Sequence, residues 1–402
     1  MSPGEALTRR GRLALVLGGA TYLGAWAFGS KILYPVAIGL PVAVLLAWLW
    51  TAFANRPLQL RRMLPAGERL EGEDVEIQVD LASERRLLPA RWTLLERISK
   101  LGQQTTALGA DGRGRYVLER LPRGRYTFED SMAVIEDPLG LERVEQSLTA
   151  PAAVLVYPRL VELERLFSES GTRSHDGRRL LLRRPSGFDL HSVREYEHGD
   201  SLRKVHWRTT ARRAQLMVKE LEDAPRDEVA VVLDADPDAV VGESFDVQVR
   251  AAGSLLLAHV RRGRRALLVI NGSRQDQQGV RSPEGDWRQA LDLLAAAEPE
   301  PGPSLAALLA DDGGAAGRAL ELAVVTASLP PRLVERLVAR ALGSGNVSLV
   351  LVDAASFAGA PPRPWPELLR LQAVGVAVAV LREGDDLAER LGAPRAAEVA
   401  HA

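Results

Sequence analysis

Hydrophobic residues run almost unbroken over Leu13–Gly29 and again over Ile32–Ala54, with only Ser30 and Lys31 between them. The second run is long enough to cross a hydrocarbon core of about 30 Å as a helix, and the first is at the short end. From Leu58 to Pro158 the period of the pattern drops to two. Val75, Ile77, Val79 and Leu81 alternate with polar neighbours, and Tyr116/Leu118 and Tyr126/Phe128 repeat the habit. Turn signals at Glu71-Gly72, Asp111-Gly112, Pro122-Arg123-Gly124 and Asp137-Pro138 separate these runs, which predicts a β-sandwich of roughly 100 residues. The stretch Arg123–Tyr126 reads as a hairpin turn, Val161–Phe167 as a helix, and Gly171–Pro185 as a basic loop. Beyond Asp227 short apolar strands alternate with helices. Strands are predicted at Val229–Leu233, Ala266–Ile270, Leu320–Val325, Val347–Val352 and Val376–Leu381. Helices are predicted at Phe245–Arg261, Trp287–Ala297, Leu305–Leu309, Pro331–Leu342 and Asp386–Leu391. That alternation predicts a mostly parallel sheet covered on both faces. Residues 299–318, rich in Pro, Gly, Ala and Asp, read as a long surface connection.

The two N-terminal runs are read as a helical hairpin. An Arg-rich start and Ala25-Trp26-Ala27 would suit a signal peptide, but its cleavage would leave a one-span remnant. Small residues four apart, Ala20/Gly24 and Ala25/Gly29, allow two helices to approach closely. Trp26, Tyr34, Trp48 and Trp50 lie near the run ends, as in aromatic belts. Arg9, Arg10 and Arg12 precede the hairpin, Arg56, Arg61 and Arg62 follow it, and only Lys31 marks its tip. The positive-inside rule then predicts two spans in the cell membrane, with everything after residue 56 in the cytoplasm.

Composition narrows the chemistry. Cysteine is absent, which removes disulfides, thiolate nucleophiles and Cys-ligated zinc. A formal net charge of −1 argues against a nucleic-acid partner for the chain as a whole. Locally the balance differs: Gly171–Glu220 holds 12 Lys/Arg against 6 Asp/Glu, a bias that needs a counterpart. Within it, the order Arg194-Glu195-Tyr196, Gly199-Asp200, Arg203, Trp207, Ala211-Arg212, Leu216, Val218-Lys219-Glu220 resembles the signature of the domain of unknown function 58 family. Weaker echoes lie at Arg123-Gly124-Arg125-Tyr126, Asp137-Pro138-Leu139-Gly140-Leu141 and Val156-Tyr157-Pro158. The resemblance covers most of residues 57–353. It implies a bacterial membrane protein that works with a MoxR-type AAA+ ATPase.

The expected layout is a tail and two transmembrane helices (1–56), a β-sandwich (57–158), and a basic linker with the signature segment (159–226). An α/β, Rossmann-like domain resembling von Willebrand factor A domains (227–395) and a short tail (396–402) complete it. The last resemblance rests on Asp234-Ala235-Asp236-Pro237-Asp238 at the end of the first apolar strand, where ligands bind in open α/β sheets. The pattern of those domains is Asp-x-Ser-x-Ser. Here aspartates replace both serines, and Thr326-Ala327-Ser328 lacks the later carboxylate. Asp234, Asp236 and Asp238 are therefore expected to form only a degenerate divalent-cation site, with no other cofactor.

His175, His191, His198 and His206 are spaced unlike zinc ligands, no P-loop occurs, and no Gly-x-Ser-x-Gly elbow is present. In the signature, Arg194, Arg203, Arg208 and Arg212 can pair with Glu195, Asp200 and Glu220, with Tyr196, Gly199, Trp207 and Lys219 completing the interaction set. Trp207 is expected to be buried and to act through stability, whereas Arg178, Arg179, Arg183 and Arg184 act through binding. The functional expectation is a non-enzymatic, membrane-anchored adaptor or scaffold. It would work with a MoxR-type ATPase in the assembly or remodelling of envelope or other proteins, with no nucleic-acid partner. The rival is a hydrolase drawing on Asp200, Ser201 and His206.

Overall fold

The computed structural model describes residues 7–65, 67–83, 90–170, 190–195, 207–213, 215–221, 229–282, 284–311, 313–343, 346–361 and 363–392. The chain divides into two compact units, Met1–Tyr157 and Pro158–Ala402.

The first unit opens with helix α1 (Arg9–Ala27), a single 3-10 turn at Lys31–Leu33, and helix α2 (Tyr34–Ala54). Among the described residues only Lys31–Ala54 is both long and apolar enough to cross a membrane. Arginines 9, 10 and 12 and three interior glycines dilute the apolar run of α1, so the expectation of two spans is not shown. Of the small residues expected at the helix contact, Ala25 is buried, and Gly18 packs closest to α2. A Cβ at Gly18 would lie 2.8 Å from Pro41 Cδ, whereas one at Gly24 or Gly29 would meet nothing within 4 Å.

Two sheets follow. Strands β1 (Gln59–Met63), β3 (Val75–Ala82) and β6 (Arg113–Leu118) form one. The other runs β2 (Arg69–Leu70), β9 (Ala152–Tyr157), β7 (Gly124–Glu136), β4 (Arg91–Ile98) and β5 (Gly102–Leu108), with β8 (Arg143–Leu148) also on β7. Their inward positions, among them Ile77, Leu81, Trp92, Leu94 and Ile135, share one buried cluster. Arg123–Tyr126 is not a hairpin turn: Gly124 starts the long strand β7, and the Tyr126 hydroxyl donates to Pro122 O at 2.8 Å. Asp137 does organise a turn. Its carboxylate accepts backbone N–H groups of Leu139, Leu141 and Glu142 at 2.6–2.8 Å. That same turn holds the start of α1, where Thr8 N donates to Leu141 O at 3.0 Å.

In the second unit Val161–Phe167 is not helical. Only one turn, α3 (Phe167–Ser170), forms, and the residues before it lie along the core. The reason is packing. Leu160 fits over Gly253, where a Cβ would lie 2.6 Å from Leu160 Cδ2, and Val161 N donates to Ser254 Oγ at 3.0 Å. Strand β10 (Leu190–Glu195), helix α4 (Trp207–Arg213) and strand β11 (Met217–Leu221) come next, β10 and β11 pairing antiparallel. The main sheet follows the order β14-β13-β12-β15-β16-β17. Strands β12 (Val229–Asp234), β13 (Ala266–Asn271), β15 (Glu321–Thr326), β16 (Asn346–Val352) and β17 (Ala377–Leu381) are parallel. The edge strand β14 (Gln277–Val280) is antiparallel and was not visible in the pattern. Helices α5 (Ser244–Arg261), α6 (Trp287–Ala296), α7 (Leu305–Leu308), α8 (Ala315–Arg318), α9 (Pro331–Leu342), α10 (Pro366–Ala373) and α11 (Leu387–Leu391) alternate with these strands. Two buried clusters use alternate residues of β12: Val229, Val231 and Leu233 in one, Ala230 and Val232 in the other. That alternation is why the strand reads as continuously apolar. Residues 299–318 are more than a surface connection, since Leu305, Ala306 and Ala316 are buried in the second cluster.

Candidate functional site

The strand order reverses direction between β12 and β15. The chain leaves β12 toward β13 and then returns past it to build β15, β16 and β17. Ligands of open α/β sheets bind outside the carboxyl ends of the strands at such a point. Three adjacent strands end there on polar residues: Asp234, Asn271 and Thr326. Asp234 is buried, and its carboxylate accepts from Thr326 Oγ at 2.7 Å and from Asn271 Nδ2 at 3.3 Å. The Asn271 amide also donates to Pro303 O at 2.9 Å. Burial pushes the Asp234 carboxyl above the usual carboxylate range, against the lowering effect of these two hydrogen bonds. The result is a closed polar triad.

Asp236 and Asp238 do not join it. Both are exposed, and Asp236 Oδ1 accepts from Asp238 N at 3.1 Å, capping the 3-10 turn Pro237–Ala239. Among the described residues no three His, Cys, Asp or Glu side chains are placed to share a metal ion. Of the degenerate cation site expected at Asp234, Asp236 and Asp238, only Asp234 lies in this buried polar cluster. The first carboxylate is engaged by its strand neighbours, Asp236 caps the turn through Asp238 N, and Asp238 lies exposed. Asn271 was missed by sequence reasoning. Its only signal was a polar residue closing an apolar strand.

The signature segment divides differently. Arg194 and Glu195 lie on β10, and Lys219 and Glu220 on β11, with register pairs Arg194↔Val218, Glu195↔Met217, Val193↔Lys219 and Ser192↔Glu220. Tyr196, Gly199, Asp200 and Arg203 lie outside the described residues, as do Arg178, Arg179, Arg183 and Arg184 and the Ser201 and His206 of the hydrolase reading. Between the strands, α4 carries Trp207, Arg208 and Arg212, and all three are exposed. Trp207 is 67% exposed, so the expectation of a buried tryptophan is corrected. Thr209 and Thr210 are half-buried, and Thr210 Oγ accepts from Met217 N at 3.0 Å, fastening the helix to β11 beside the buried Met217. With the threonines turned inward, helical spacing turns Trp207, Arg208, Ala211 and Arg212 outward. No ion pair among the described residues involves Arg208, Arg212 or Arg213. The side chains of the expected partners Glu195, Asp200 and Glu220 lie outside the described ones, and α4 presents an exposed cationic and aromatic face.

Comparisons with known proteins bear on the same stretch. Residues 192–354 match the family described as Protein of unknown function DUF58. The Uncharacterized protein YeaD of Bacillus subtilis (strain 168) is 23% identical over 324 residues, covering 77% of this chain and 79% of that protein. Among solved structures, the PKD domain of human VPS10 domain-containing receptor SorCS2 aligns at 18% identity. It covers 26% of this chain and 76% of its own, with a TM-score of 0.19. A conjugative transposon lipoprotein from Bacteroides eggerthii aligns at 16% identity over 24% of this chain and 100% of its own, with a TM-score of 0.14. Scores this low carry nothing about fold or function. The signature residues Arg194–Glu220 fall inside the matching stretch, so residues 192–354 are similar to the DUF58 family, whereas the weaker echoes before residue 159 lie outside it.

Proposed function

We propose that this protein is a membrane-anchored adaptor that presents α4 to a partner protein with an acidic surface. The observation that carries this reading is the exposed Trp207, Arg208, Arg212 and Arg213 face, free of ion pairs among the described residues and lying within the DUF58 match. Tryptophan and arginine dominate binding hot spots, and an exposed cationic face favours an acidic counterpart. The family resemblance points to a MoxR-type AAA+ ATPase as that counterpart, acting on envelope or other proteins. The apolar helix Lys31–Ala54 supplies the anchor. In the full reading α1 adds a second span, arginines at both outer ends keep the soluble units in the cytoplasm, residues 57–158 act as a β-sandwich, and the parallel sheet belongs to a von Willebrand factor A-like domain.

Capture tests it. Full-length protein in detergent is mixed with the purified ATPase and ATP, with Trp207→Ala and Arg208→Ser/Arg212→Ser/Arg213→Ser variants alongside. Exposed substitutions of this kind move stability by less than about 0.5 kcal/mol, so melting should be unchanged while capture is lost. Capture should also weaken with salt, because exposed charges are screened beyond about 8 Å at physiological ionic strength. Undiminished capture by both variants rejects the reading. A reporter active only outside the cytoplasm, fused after Ala402, should stay inactive.

A further inference from the structure

A second feature of the sheet edge lies away from the β12–β15 switch. Beyond the carboxyl ends of β16 and β17, a cavity of about 380 Å³ opens between the first half of α5 and the loop after β17. Its charged lining consists of Arg250 and Arg382 against Glu243, Glu383 and Asp385. Behind Arg382 stands Asp353, which is 1% exposed. Neither Asp353 carboxylate oxygen receives a hydrogen bond, and its nearest cation, Arg382 Nε, is 3.6 Å away. Counting Asp353 behind Arg382 and Arg390 on Asp385, three guanidinium groups stand against four carboxylates.

These carboxylates are not equally engaged. Asp385 is satisfied, accepting from Arg382 N at 2.9 Å and pairing with Arg390 at 3.1 Å. Glu243 and Glu383 are exposed on opposite walls and have no side-chain partner among the described residues. Arg382 is drawn toward Asp353, so its charge is partly answered from behind. A buried carboxylate without donors is an expensive arrangement unless something supplies them. The remaining lining is apolar, with Phe357, Leu381 and Leu387 offering contact area and one aromatic ring.

We propose that this cavity binds an ammonium or guanidinium group carried on an aliphatic stem: a lysine or arginine side chain of a partner protein, or a free polyamine. The methylenes lie against Phe357 and Leu387, and the head group sits between Glu243 and Glu383, supplying the donors that the acidic end lacks. An anionic ligand is disfavoured because it would add a fifth negative charge to three cations. This site is independent of α4 and of the adaptor reading.

Calorimetric titration of the full-length protein in detergent tests it, using Nα-acetyl-lysine methylamide, its norleucine counterpart, cadaverine and glutarate. Saturable binding of the lysine derivative is expected, with the norleucine compound at least about tenfold weaker. Glu383→Gln and the Glu243→Gln/Glu383→Gln double variant should each weaken binding by about tenfold or more, with unchanged melting because both side chains are exposed. Cadaverine binding as tightly as the lysine derivative identifies a free polyamine as the ligand, and weaker cadaverine binding identifies a protein side chain. Equal binding of the norleucine compound, tighter binding of glutarate, or no saturable binding of the lysine derivative to the wild type below about 10 mM overturns the proposal.

Discussion

In the N-terminal unit the buried carboxylate of Glu96 is answered on every side. Arg62 Nε lies 2.6 Å away, the Tyr116 hydroxyl donates at 2.5 Å, and Arg62 also reaches Ser131 Oγ at 2.5 Å and the Phe128 ring at 4.5 Å. In the C-terminal unit Asp234 has only neutral partners, Thr326 and Asn271, and Asp353 has a single arginine out of hydrogen-bond range. The three groups are about equally buried but differently paired. An ion pair that joins β1 of one sheet to β4 of the other is a structural fastening. A carboxylate with neutral partners, Thr326 and Asn271, ends a strand. Asp353, behind Arg382 of the cavity wall, is the one of the three left without hydrogen-bond donors.

Mutations should rank along this comparison. Glu96→Ala strands the buried Arg62 and is expected to have the largest effect, roughly 3–5 kcal/mol lost in denaturant unfolding. A loss under about 1 kcal/mol would mean that Arg62 finds water on its own. Burial also pushes the Tyr116 hydroxyl well up, with the Glu96 bond adding to it, so Tyr116 should resist ionisation in alkaline spectrophotometric titration.

His259 gives a pH-dependent counterpart in the second unit. Burial first, then Arg264 and Arg262, lowers its pKa to about 3, and Arg264 Nη1 donates to His259 Nδ1 at 3.1 Å. The unfolded chain therefore binds this proton more readily. Stability is fully present above an ordinary histidine value and is lost as pH falls from there toward about 3. The expected loss is on the order of 2–4 kcal/mol, and His259→Gln should flatten that part of the melting-temperature profile. An unchanged profile in the variant would assign the acid sensitivity to other groups.

Thr326→Val removes the shorter hydrogen bond to Asp234 and leaves that oxygen buried, with an expected loss of about 1–3 kcal/mol. The raised Asp234 pKa sharpens the test. The native state holds this proton more tightly, so wild-type stability should fall, relative to Asp234→Asn, as pH rises from the ordinary carboxylate value through the raised one. A difference that grows in the opposite direction would mean Asp234 is held ionised. Asp353→Asn should have the smallest effect, within about 1 kcal/mol of wild type, because no hydrogen bond is lost and a buried charge is removed. A loss comparable to that of Glu96→Ala would show that Asp353 is a structural partner of Arg382 and would end the contrast.

The period of the pattern determined much by itself. The alternation from Val75 to Leu81, the continuous apolar runs of β12, β13, β15 and β16, and the apolar helix before Ala54 are all written in residue order, because period reports how many faces of an element are buried. The density of arginine around Trp207 was equally plain. Tertiary structure decided the rest. Val161–Phe167 has helical spacing, yet the groove at Gly253 takes Leu160 and keeps the segment off a helix. Trp207 carries the largest apolar surface in its segment, yet Thr209 and Thr210 take the inward face of α4 and leave it in solvent. Three aspartates in five residues suggested shared chemistry, but Asp234 meets Asn271 and Thr326, 37 and 92 residues away, only because β12 lies between β13 and β15. Periodicity is a property of single elements and can be read along the chain. Which polar side chains meet depends on strand order, and that is settled only when the sheet is assembled.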